Sequence, residues 1–206
     1  MKNRKLQPLF LFFCACLMGW AGNLYAQSDY VIKHDNTKVM GEIKSHGLSK
    51  VKFIPAGEKK AQKFRPEQLK EAYQAGHGVR RSIVREKGGK ASFLEVLEDG
   101  KVKLYEYYQQ GRTMYGPPTA GGGMGFVGGS APTKKWYAQK DDGIIVEVKS
   151  NGIWGSRKGR KDNFLSLIQD NAQVVSRYEK EDKFSFDFVR SLIVEYNAAK
   201  AKEIGR

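Results

Sequence analysis

The sequence predicts an α+β protein: a curved antiparallel β-sheet, open or barrel-like, followed by a C-terminal two-helix hairpin. Three observations predict it. Short runs alternating at period two fill residues 30–108 and resume after residue 133. Asp-Gly pairs punctuate those runs at Asp99-Gly100 and Asp142-Gly143, the turn chemistry of tight hairpins. Beyond residue 160 the apolar period changes to three and four, the spacing of an amphipathic helix. The expected organisation is a leader over 1–26, a β domain over 27–155, and a helical hairpin over 156–206 packed on the sheet.

The leader is read from its three parts. Lys2, Arg4 and Lys5 open the chain, an uncharged and largely apolar stretch runs from Leu6 to Ala21, and small or polar residues lead to Ala26-Gln27. Gln7 and Pro8 interrupt the apolar stretch, which tells against a membrane anchor of about 18 residues or more. Cleavage after Ala26 is expected, with Leu24 as an atypical residue three places before the cut. A second reading takes Phe13-Cys14-Ala15-Cys16 as a loose lipobox that would leave lipid on Cys16, but the chain would then begin with the apolar run CLMGWAGNLYA. Removal of residues 1–26 takes away both cysteines, and with them disulfides, thiol nucleophiles and thiolate metal sites. It leaves 33 basic and 22 acidic residues, a net charge of +11.

The elements follow in order. TKVMGEIKSH places Val39, Gly41 and Ile43 on one face, and VKFI repeats the pattern with Val51 and Phe53. AQKFRPEQL reads as a strand ending at Phe64, then a turn or short helix opened by Pro66. SIVRE is a further short strand, and SFLEVLEDGKVKLYEYY is the clearest hairpin, with Val102 and Leu104 facing one way and Tyr105 and Tyr107 the other. Residues 109–133 hold eight glycines and three prolines, and read as a mobile loop because ordering such a stretch costs more entropy than its few apolar groups offset. WYAQK and GIIVEVKS resume the sheet, with Ile144, Val146 and Val148 expected inward. Phe164, Leu167, Ile168, Asn171, Val174, Val175 and Tyr178 then form one helical stripe, which Asp162 or Asn163 is placed to cap. Ser185 caps a second helix with Asp187 in its first turn and Val189, Leu192, Ile193 and Tyr196 as its stripe.

Taken in order, the exported start, KVMGEI, VKF, FRPEQL, FLEVLEDGKVKLYEYY, the Gly-rich insert, WYAQK, FLSLIQD and IVEYN resemble a group of exported β-rich proteins of the Bacteroidota. The resemblance spans nearly the whole mature chain, through the order of its motifs. It implies a place in the Gram-negative envelope, in the periplasm or at the periphery of the outer membrane. It brings no catalytic residues with it.

Several chemistries are tested by the residues themselves. Gly123–Gly128 matches GxGxxG in letters, but a strand rather than a helix follows, so no pyrophosphate site is expected. His34, His46 and His77 lack the spacing of zinc ligands, sit among turn residues, and have no GxSxG elbow beside them. No cofactor and no metal is therefore implied. Glu95, Glu98, Asp141, Asp142 and Asp170 are the carboxylates open to a glycan hydrolase, though Asp99, Asp141 and Asp142 read as turn residues. Tyr105, Tyr107, Tyr108, Tyr115, Trp136 and Tyr137 flank the Gly-rich insert, as a lining between strands or as a stacking face.

The basic residues carry the most. Arg157, Lys158, Arg160 and Lys161 lie just ahead of the first expected helix, where cations oppose the helix dipole and free amides accept anions. Arg80-Arg81 and Lys59, Lys60, Lys63 and Arg65 add to the field. The expected function is a non-catalytic envelope module that contacts anionic glycolipid, polysaccharide or a membrane surface, or an envelope protein, through Arg157, Lys158, Arg160 and Lys161. Tyr115, Met124 and Phe126 of the insert are the expected partner contacts. The alternatives are a glycan hydrolase and a subunit of a larger envelope assembly. Export tells against nucleic acid as the partner of this charge, and the oligomeric state has no signature.

Overall fold

Valine, isoleucine and aromatic residues spaced two apart between lysines and glutamates suit a pleated, half-buried surface, and strands form wherever that pattern recurs. The computed structural model describes residues 28–86, 88–118, 124–152, 155–181 and 183–205; for 113–118, 124–128 and 204 it describes the backbone alone. The leader expected over 1–26, with Cys14 and Cys16, lies outside the described residues. Among those described, no helix is long and apolar enough to cross a membrane.

The strands are β1 (Tyr30–Lys33), β2 (Lys38–His46), β3 (Val51–Pro55), β4 (Gln62–Phe64), β5 (Leu69–Gln74), β6 (Gly78–Val84), β7 (Ala91–Glu98), β8 (Val102–Gln109), β9 (Thr113–Pro118), β10 (Met124–Gly129), β11 (Thr133–Lys140) and β12 (Val146–Ser150). Ten of them form one sheet in the order β12-β11-β8-β7-β6-β5-β1-β2-β3-β4, in which the neighbouring strands run antiparallel. β12 and β4 end the order without pairing to each other, so the curved sheet is not closed.

The curl shows in contacts between strands that the ladder keeps apart. The Phe93 amide of β7 donates to the Leu48 carbonyl in the β2–β3 turn at 2.9 Å. The Ser82 hydroxyl of β6 donates to the Pro66 carbonyl after β4 at 2.7 Å. Phe93 thereby joins Val31, Ile43, Val51, Phe53, Leu69 and Ala72 in one buried cluster inside the curl. Gly41 makes this possible, since a Cβ there would lie 2.1 Å from the Ile54 carbonyl oxygen and 2.5 Å from the Phe53 ring.

The C-terminal segment forms α1 (Arg157–Ile168), α2 (Ala172–Lys180) and α3 (Phe186–Ile204). Phe164, Ile168, Val174, Val189, Leu192, Ile193 and Tyr196 pack against Val102, Leu104, Trp136, Ala138 and Val148 of β8, β11 and β12. The Asn197 side chain of α3 accepts from the Val102 amide and donates to the Val102 carbonyl, each at 2.8 Å.

The α+β class, the curved antiparallel sheet, the β7–β8 hairpin and the Ser185 cap agree with the sequence reading. Five details differ. The expected two-helix hairpin is three helices, because Asn171 turns extended and its side chain accepts from Val174 N at the start of α2. The stripe runs through the break since both helices face the same core. Second, α1 starts at Arg157 under a Ser156 cap rather than at Asp162 or Asn163. Third, within the insert read as a mobile loop, β9 and β10 pair, with Phe126 opposite Tyr115 and Met124 opposite Pro118. Fourth, Ile144 is 85% exposed rather than inward, because the strand begins only at Val146. Last, the β5–β6 hairpin was not anticipated: its turn uses Gly76 and Gly78 at positive φ, and its strands carry charged residues at Glu71, Arg80 and Arg81.

Candidate functional site

The first turn of α1 carries Arg157, Lys158 and Arg160 and no acidic residue, with Lys161 following. The chain enters it through Gly155 at φ +93° and Ser156, whose hydroxyl accepts from Gly159 N at 2.9 Å. The four cations expected ahead of a helix are thus part of one, and they divide into two kinds. Arg160 is drawn inward: its guanidinium meets Glu147 of β12 at 3.3 Å and its side chain is only 11% exposed. Asn163, one turn on, donates to the Glu147 carbonyl and holds α1 on β12. Arg157 and Lys158 are exposed, Lys161 is half-buried, and none of the three has an ion pair among the described residues.

A fifth cation, absent from the sequence reading, completes the patch. Lys149 of β12 points its ammonium at the rings of Phe184 and Phe186, 5.1 and 5.3 Å from their centroids. Lys161 lies 5.8 Å from the Phe184 centroid, and Lys134 of β11 lies 5.2 Å from that of Phe186. Lys134 is neutralised by Glu106 at 2.7 Å; Lys149 has no ion pair among the described residues. Burial, then the charges of Arg157, Arg160 and Lys161, lower the pKa of Lys149 below the ordinary lysine value. Ring faces attract ammonium groups weakly, by about 0.5–2 kcal/mol, so Phe184 and Phe186 position this charge without cancelling it. Its only signal in the sequence is alternation along β12, and nothing local ties residue 149 to residues 157–161.

The expected partner contacts are placed by backbone alone. Tyr115 lies in β9 and Met124 and Phe126 in β10, and their side chains lie outside what the structure describes. β10 leads to strand β11, so Gly125–Gly128 precede no helix start. Of the flanking aromatics, Tyr105, Trp136 and Tyr137 are buried as a lining between elements, while Tyr108 is exposed.

The carboxylates are engaged by cations. Glu95 meets Arg80 at 3.0 Å, Glu98 meets Arg190, Asp141 meets Lys101 at 3.8 Å, Asp142 meets Lys103 at 3.3 Å, and Asp170 meets Lys140 at 2.7 Å. For Asp170, partial burial would raise the pKa, but hydrogen bonds from Lys140 and Tyr196 and the charges of Lys140 and Lys200 outweigh it and bring it to about 2. Glu95 and Glu106 are cross-strand partners and share a face, in a pocket of about 260 Å³ with His46, Arg80 and Tyr108. There Glu106 accepts from the Trp136 indole at 2.8 Å as well as pairing with Lys134. This is a salt-bridged row across the sheet, not a free acid beside a free base.

His46 and His77, read as separate turn histidines, meet edge-to-face at 5.6 Å. Burial, then Arg80 and His77, lower the His46 pKa. Among the described residues no group of three or more His, Cys, Asp or Glu side chains is arranged to hold a metal ion. Comparison with protein-family models, curated proteins and solved structures finds no match to this chain.

Proposed function

We propose that the protein is a non-catalytic binding module of the bacterial cell envelope, which holds an anionic membrane surface through the start of α1. One observation carries the reading. Lys149 is held beside Arg157, Arg160 and Lys161 at a helix N-terminus, over two aromatic rings, with no described carboxylate to neutralise it. Accumulated like charge costs free energy in the unliganded protein, and an anionic headgroup relieves it. Amides of the first helical turn add donors for phosphate oxygens. Arg160, spent on Glu147, positions the helix; Arg157, Lys158, Lys161 and Lys149 face the ligand.

The test is co-sedimentation of residues 27–206 with vesicles of equal parts phosphatidylethanolamine and phosphatidylglycerol, against phosphatidylethanolamine–phosphatidylcholine vesicles. A basic side chain near an anionic surface contributes about 1 kcal/mol. The triple substitution Arg157→Gln, Lys158→Gln, Lys161→Gln is therefore expected to weaken binding about a hundredfold. Added salt is expected to do the same to the unsubstituted protein. Equal binding by the triple variant would overturn the assignment of the surface.

A further inference from the structure

A groove lies elsewhere, between the β4 end of the sheet and the start of β7. It encloses about 980 Å³ and is walled by the β2–β3 turn (Ser49, Lys50), the end of β4 and the turn after it (residues 63–68), and the entry to β7 (Lys90, Ala91). The groove draws on the β2–β3 turn, β4 and the start of β7, whereas the α1 patch is built on β12, so the two use different strands.

Its charge is one-sided. Lys50, Lys63, Arg65 and Lys90 all line it, all are exposed, and Glu67 is the lone carboxylate among the described lining residues. None of the four cations has an ion pair among the described residues, although acidic side chains elsewhere take up lysines and arginines in many pairs. The same groove has an apolar component in Phe64, half-buried, with buried Pro66 and half-buried Ala91. Its walls are held by hydrogen bonds that the cation heads do not join. Phe93 N donates to Leu48 O, Gln68 N to Arg65 O, and the Ser82 hydroxyl to Pro66 O, while Arg65 N donates to the Gln68 side chain. The lysine and arginine heads take no part in these bonds.

We infer that this groove is a second binding site, for an anionic saccharide. A ring presenting C–H groups covers Phe64, and its carboxylate or phosphate groups meet Lys50, Lys63, Arg65 and Lys90. Four unpaired cations on three separate chain segments match negative charge spaced along an extended ligand better than one compact anion. The apolar component suits a sugar face, which a string of acidic peptide side chains does not supply. Lys59 and Lys60, in the loop leading to β4, extend the positive field beyond the groove.

The test is isothermal titration of residues 27–206 with three probes. These are oligogalacturonate, a bis-phosphorylated glucosamine disaccharide, and polyglutamate of matched charge. Binding of the first or the second supports the site and says whether carboxylate or phosphate sugar is its source; binding of neither overturns it. Polyglutamate binding as tight as the better sugar would overturn the saccharide assignment in favour of an acidic peptide. The quadruple substitution Lys50→Gln, Lys63→Gln, Arg65→Gln, Lys90→Gln alters exposed residues only, and unchanged thermal unfolding verifies its fold. It is expected to lose about tenfold or more in sugar affinity. The variant Arg157→Gln, Lys158→Gln, Lys161→Gln is expected to bind sugar as the unsubstituted protein does. If the α1 variant loses the sugar and the groove variant keeps it, the groove proposal fails while the α1 surface stands.

Discussion

Gly41 is a residue where the curl of the sheet leaves no room for a methyl group. A side chain there meets the Ile54 carbonyl and the Phe53 ring below van der Waals distance, and both belong to the strand on which β2 folds. Gly41→Ala is expected to destabilise the fold by about 1–3 kcal/mol, the usual cost of overpacking. Urea unfolding measures it, and an unchanged midpoint would remove Gly41 from this role. His46 acts differently, through its proton. Its folded-state pKa is lowered, so between that value and the ordinary 6.5 the unfolded chain binds more protons than the folded one. The contribution is fully present above pH 6.5 and is lost as pH falls through the folded value. The groups facing His46 are Arg80 and His77, with Glu95, Glu106 and Tyr108 in the same pocket. His46→Gln is expected to flatten stability against pH over that window, measured by thermal unfolding from pH 7.5 to 5. A slope unchanged by the substitution would assign the effect elsewhere.

At the scale of elements, the informative site is the break at Asn171. The side-chain oxygen of Asn171 accepts from Val174 N at 3.1 Å, and its extended backbone separates α1 from α2. Asn171→Ala removes that cap at a cost of about 1 kcal/mol. The expected outcome is a lowered unfolding midpoint with the slope of the transition unchanged; a gain in stability and helicity would mean that α1 and α2 prefer to be one helix. The same place shows why helices were legible from sequence while their boundaries were not. Phe164, Ile168 and Val174 share one buried cluster, so periodicity passes through the turn without a mark. Ser185 and the Asp99-Gly100 turn were legible because capping and tight-turn chemistry are local. The β5–β6 hairpin escaped because Glu71, Arg80 and Arg81 break its apolar alternation. In the fold they pair in a row, Arg81 with Glu71 at 2.9 Å and with Asp99 at 2.7 Å.

Across the whole molecule, the class was legible and the strand order was not. Composition and period define a β-rich chain with terminal helices. Nothing local places β1 between β2 and β5, or pairs β8 with β11 across the insert. The candidate surface was legible by half for the same reason. Arg157–Lys161 is a visible run, whereas Lys149 reaches it only through the docking of α1 on β12. Proximity in the fold also sets Arg160 apart from the neighbouring cations by giving it Glu147. The proposed envelope module is a curved sheet with cations that lack ion pairs among the described residues at two places, the start of α1 and the groove beside β4. The most direct measurement of that idea is the ionisation of Lys149, followed by NMR of its side chain across the alkaline range. The account predicts a pKa below the ordinary lysine value in the free protein, rising when phosphatidylglycerol vesicles are added. An ordinary lysine pKa that the vesicles leave unmoved would contradict it.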